Sequence, residues 1–187
     1  MPALAPPVKD ELEGLLTFLG QMRDALRASI FGLDREQITA TPTASSLSLA
    51  GLIKHTTLVE EHWIQHVLAR REVPDHDYEK GFVMLEDETA ESLLAFQEET
   101  AAKTAQIVEE LPDLDYPVPV PKGVPWFPAD VDFWSARWVL LHLIQELGRH
   151  AGHADIIRET IDGANAFVLI AKSEGETPPW ADMLESR

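Results

Sequence analysis

RWVLLHLIQELGRHAGHADIIRETIDG, residues 137–163, repeats apolar side chains at steps of three and four. That spacing predicts one long amphipathic helix, from about Asp132 to Ile161. Asp162-Gly163 is its stop signal. With Glu146 at zero and 100° per residue, His150 falls at about 40°, His153 at about −20° and His142 at about −40°. The ionisable side chains thus overlap the edge of the apolar arc. A carboxylate among leucines is costly unless it is paired or bound to a metal. Glu146 and His150, four residues apart, reach one point above the helix. A third ligand from another helix would complete an open-sided metal site. The competing account is a surface i,i+4 pair without metal, worth a few tenths of a kcal/mol.

A second helix is predicted from about Leu47 to Arg70, with Leu49, Leu52, Ile53, Val59, Trp63 and Val67 as its apolar positions. Ser46 or Ser48 is its cap and Pro74 its stop. His55, His62 and His66 share an arc of about 60° on it. Antiparallel packing would bring the His55 end opposite Glu146 and His150. His62 and His66 also suit a solvated pair, and His142 and His153 also suit packed, hydrogen-bonded positions. Trp63, Trp134 and Trp138 read as core aromatics.

Two more helices are predicted, from Val8 to Ile30 and from about Thr89 to Leu111, the latter with an acidic outer face. Residues 1–7 form a loose lead-in. Residues 112–131 hold Pro112, Pro117, Pro119, Pro121, Pro125 and Pro128, so an ordered loop or short hairpin is expected there. In the tail, residues 164–187, the run Phe167 to Ile170 packs on the bundle or on a partner, a homodimer being the commonest form. The expectation is all-α: a single domain, residues 1–187, built as a four-helix bundle with a proline-rich insertion before the last helix.

The 187 residues are 45% hydrophobic and 25% charged, the balance of a chain with a substantial core. Thirty-two acidic residues against 15 basic ones give a formal charge of −17. That field repels phosphate backbones and argues against nucleic-acid binding, while attracting cations. No apolar run approaches a membrane span. MPALAPPVKDELEG is not a secretory signal, so a cytoplasmic location is expected. The chain has no cysteine. Disulfides, thiolate metal sites and a cysteine nucleophile are thereby excluded, and any thiol chemistry needs a thiol cosubstrate. Nucleophile-elbow, phosphate-loop and dinucleotide motifs are absent, and Glu60-Glu61-His62 lacks the spacing of a di-iron motif.

RHAGHADIIRE, preceded by RWVLLHLIQE, resembles the last helix of the DinB/YfiT-like superfamily of metal-binding four-helix bundles. More closely it resembles the RHAGHAD branch, related to mycothiol-dependent maleylpyruvate isomerase. His55, in SLAGLIKHTTLVEEHW, fits that family's second helix. The resemblance spans roughly Lys9 to Gly163. It implies one divalent metal ion held by His55, Glu146 and His150, zinc first and nickel or another divalent ion as alternatives. Many members carry histidine where this chain has Glu146. The carboxylate lowers the net charge and makes a bound water less acidic. His62, His142 and His153 would line the pocket or support the ligands. Arg149 or Arg158 would contact an anionic cosubstrate, or pair with nearby acids. The implied activity is a thiol S-transferase of the mycothiol or bacillithiol type, or a related isomerase or hydrolase, acting on a small molecule. The alternative is a non-catalytic bundle that binds metal or a small ligand, in a stress-related role.

Overall fold

The computed structural model describes residues 4–72, 80–125 and 127–173, apart from the side chains of Phe167 and Ser173. Pro74, His76 and the Pro-Pro-Trp end of the tail lie outside them. The first helix, α1, runs Glu11–Ser29, its first turn capped by the Asp10 carboxylate on the Glu13 N–H at 2.9 Å. Glu11 and Glu13 sit at the positive end of its dipole and Arg27 at the negative end. A short helix not foreseen in the sequence, α2 (Arg35–Thr39), is nucleated by a reciprocal Asp34–Gln37 capping box.

The next helix, α3 (Leu49–Glu61), is capped by Ser48. It does not run on as a regular helix to Arg70. It widens into a π-helical segment, His62–Leu68, in which the Ala69 N–H reaches back to the Ile64 carbonyl. The acidic helix α4 (Ala90–Glu109) opens with a Thr89–Ser92 capping box. The longest helix, α5 (Ala136–Asp162), is capped by Ser135 and stops at Gly163, whose φ of 81° suits glycine. It starts four residues later than expected because Phe133–Ser135 is claimed by β2, which pairs antiparallel with β1, Pro117–Pro119. Prolines tolerate a two-stranded ribbon because their missing N–H can face away from the partner.

The long helices α1, α3, α4 and α5 share a core in which Leu19, Leu26, Leu52, Ile53, Leu140, Leu143 and Leu147 are all but inaccessible. Helix α6 (Ala166–Ser173) packs on α1, with Val168 and Leu169 buried. The apolar tail therefore packs on the same chain's own helices. No helix among the described residues is long and apolar enough to cross a membrane.

Arg158 is 4% exposed and ties α5 to the end of α1. It donates to the Ser29 and Phe31 carbonyls at 2.8 and 2.9 Å and forms a forked pair with Asp162. It is thus a structural residue, not a contact for an anionic cosubstrate. Arg158→Ala strands the buried Ser29 carbonyl and unpairs Asp162, and urea denaturation is expected to show a loss of about 2–3 kcal/mol. A change below about 0.5 kcal/mol would contradict this assignment. Arg158 first, with the Ala164 N–H helping, holds the Asp162 carboxyl below its ordinary range. A depressed carboxylate stabilises the fold above its unfolded pKa, so this contribution fades as the pH falls through the acid range. The variant is expected to lose that part of the acid dependence.

Candidate metal centre

Helices α3 and α5 pack side by side and bring His55, Glu146 and His150 together. One ligand atom from each lies within 4.8 Å of the other two. The His55 Nε2 is 3.6 Å and the His150 Nε2 is 3.2 Å from the same carboxylate oxygen, Glu146 Oε1. Donors about 2.1 Å from a tetrahedral ion stand about 3.4 Å apart, so this spacing fits such an ion. Two imidazoles and a carboxylate suit zinc and other divalent first-row ions.

Burial makes the cluster unusual. His55 and His150 are 6% and 8% exposed, and Glu146 is the partly open side. The i,i+4 pair of the competing account does form, but half-buried in the helix packing instead of on the surface. His150 first, then His55, holds the Glu146 carboxyl well below the usual carboxylate range, against the opposing effect of burial. The carboxylate therefore stays charged and available to a cation. His150 is held at both ends, with its Nδ1 3.3 Å from His153 Nδ1. One of those two nitrogens donates and the other accepts, which fixes the ring's orientation.

Phe82 is a neighbour that sequence reasoning missed. Its ring stacks on His55 at 3.8 Å between centroids and 18° between planes. It sits on a 3₁₀ turn, Lys80–Phe82, pressed against the start of α3. The contact is close enough that a Cβ on Gly51 would lie 2.0 Å from the Phe82 carbonyl oxygen. The following residues are clamped to α3 by Lys54, which bonds the Val83 carbonyl and Glu88 at 3.1 and 2.9 Å. Arg35 donates to the Leu85 and Glu88 carbonyls. Gly51 in SLAGLIK was the available signal, since glycine inside a helix marks a close backbone approach.

An aromatic ladder continues along α5. Trp134 stacks on Trp138 at 4.3 Å, and Trp138 stacks on His142 at 5.2 Å. Trp63, from the π segment, meets the His142 ring edge-on at 4.7 Å. Trp63 is core, as expected, but Trp138 is 38% exposed. His142 is half-buried, and burial pushes its pKa below the ordinary imidazole value, with the Glu146 charge opposing. His62 lies exposed on the π segment beside Trp63 and His66, and does not join the converging ligands. His66 is exposed too and contacts the Arg71 carbonyl.

A family profile described as Mycothiol-S-transferase matches residues 14–163, from inside α1 to the end of α5. The chain belongs to this family. The mycothiol S-transferases fall within the DinB/YfiT-like superfamily. The matched segment contains His55, Glu146 and His150, and leaves out α6. Comparison with curated proteins and with solved structures gave no match.

Proposed function

We propose that this chain is a metal-dependent thiol S-transferase, with His55, Glu146 and His150 holding one divalent ion, zinc in the first place. The observation that carries the reading is the convergence of three ligand atoms within 4.8 Å inside the segment matched by the family. The ion, when bound, supplies Lewis acidity that lowers the pKa of a thiol cosubstrate such as mycothiol. The chain's own residues do the rest. Glu146 offsets part of the ion's charge. His153 fixes the ring of His150, and Phe82 fixes that of His55 and covers one of its faces. No cysteine of the chain competes with the cosubstrate for the site. The four long helices read as a DinB-type bundle in one domain, residues 1–187. The proline-rich segment before α5 carries the first strand of its ribbon. A cytoplasmic site of action suits a low-molecular-weight thiol.

The test is elemental analysis of untagged protein purified without chelators, followed by turnover of mycothiol with an alkyl bromide. Near-stoichiometric divalent metal is expected in the wild type. His55→Ala and His150→Ala are each expected to reduce it to background and to abolish turnover. Metal retained by His150→Ala, with an equal fall in thermal stability, would make His150 a packing residue. Bound metal without turnover of any thiol would leave a binding bundle in place of an enzyme.

A further inference from the structure

We propose that His142 is the proton acceptor of the transfer reaction, taking the proton of the thiol cosubstrate at a ring nitrogen. The inference rests on the S-transferase reading and names a catalytic residue that the metal ligands do not supply.

The hydrogen bonds around the site single this histidine out. The His150 ring is engaged through both nitrogens, to Glu146 and to His153. His55 faces Glu146 through its Nε2. His142 makes ring contacts with Trp63 and Trp138 but no hydrogen bond to any described residue. A half-buried imidazole normally finds a polar partner. This one is held between Trp138 and Trp63, and neither of its nitrogens meets a hydrogen-bond partner among the described residues. It projects one helical turn before Glu146, about 6 Å along the axis. The Glu146 charge acts on its ring, which places it beside the cluster to which a sulfur would be drawn.

Its protonation state suits the role. Burial favours the neutral ring, which carries a free lone pair at neutral pH. Glu146 is the charged group acting on it among the described residues. The π segment presents Trp63, and α5, the helix of His142 itself, presents Trp138. That carboxylate would also steady the imidazolium formed when the proton arrives.

The step balances without an oxidant or reductant. The thiol S–H bond breaks and its proton passes to His142. The sulfur electron pair forms a bond to the electrophilic carbon of the second substrate. The bond from that carbon to its leaving group breaks, and the group departs with the pair. Imidazolium then returns its proton to the leaving group or to water. The net reaction joins thiol and electrophile with release of the protonated leaving group.

The experiment compares wild type with His142→Phe, His142→Gln and His142→Ala, using mycothiol and a fluorogenic alkyl bromide, each protein loaded with zinc. His142→Phe keeps the stack on Trp138, and His142→Gln keeps a polar head, so both guard against misfolding. All three are expected to hold metal at the wild-type level. Their kcat/KM is expected to fall by about 10²- to 10⁴-fold. Added imidazole is expected to rescue His142→Ala, and substituted imidazoles to rescue it in the order of their basicity. A packing role would not give that order. Wild-type turnover retained within about threefold by His142→Phe overturns the assignment to His142 and leaves the S-transferase reading standing. A metal-loaded wild type without turnover overturns both.

Discussion

Arg23→Ala is expected to cost about 3–5 kcal/mol of stability, because it leaves a buried carboxylate without its counter-ion. Glu60 is 1% exposed in the middle of the helix packing. Arg23 reaches it from α1 with two charge-assisted bonds, at 2.9 and 2.6 Å. Thr104 reaches it from α4 with a third, at 2.5 Å. Three helices therefore meet on one buried carboxylate. Removing the guanidinium does not return Glu60 to solvent, so its desolvation is left uncompensated. Urea unfolding would read the loss directly. The informative control is the double variant Arg23→Met/Glu60→Leu. Replacing both charges with apolar side chains of similar size is expected to recover most of the loss, since buried pairs rarely outdo good apolar packing. The Thr104 hydroxyl can then turn to its own helix carbonyl four residues back. A single variant within about 0.5 kcal/mol of wild type would mean that water reaches Glu60.

How much of the site could be read in the sequence follows from how local each piece is. Glu146 and His150 were legible because i,i+4 spacing on one helix is local geometry, and α5 forms almost where expected. His55 was harder. The residues alone left it on one arc with His62 and His66, antiparallel packing pointed to its end of the helix, and the family resemblance selected it. The structure supplies the reason. An angular arc fixes a direction but not a height, and His62 stands seven residues, about 10 Å, further along the axis. His66 lies deeper in the π segment, where wider winding breaks the 100° step on which the arc was drawn. Nothing in apolar spacing announces a π segment. Phe82 was equally hidden, because its contact with His55 joins a connection to a helix and no periodicity encodes such a pairing. The short ribbon was half-legible. The prolines excluded a helix, yet its partner strand, Phe133–Ser135, read as the opening of α5.

Gly51→Ala separates what the helix wants from what the site needs. Alanine favours an exposed helix interior over glycine by about 1 kcal/mol, so α3 taken alone would gain. The surroundings forbid the gain. The new Cβ would stand 2.0 Å from the Phe82 carbonyl oxygen and 2.9 Å from its carbon. Backbone cannot yield as a side-chain tip can, so the 3₁₀ turn must lift off α3. Phe82 then leaves the face of His55, and the imidazole loses the stack that sets its plane. Loosening a group that orients a ligand typically costs 10- to 100-fold in metal affinity. Zinc competition against a chromophoric chelator is expected to show a loss of that size. Phe82→Leu supplies the second arm, since it removes the stack without a clash at Gly51. Weakened zinc binding in both variants ties the loss to the His55 ring. Weak binding in Gly51→Ala alone would place the damage in α3 itself. Undiminished binding in both would show that α5 and the core already fix the ligands, with Phe82 serving only as cover.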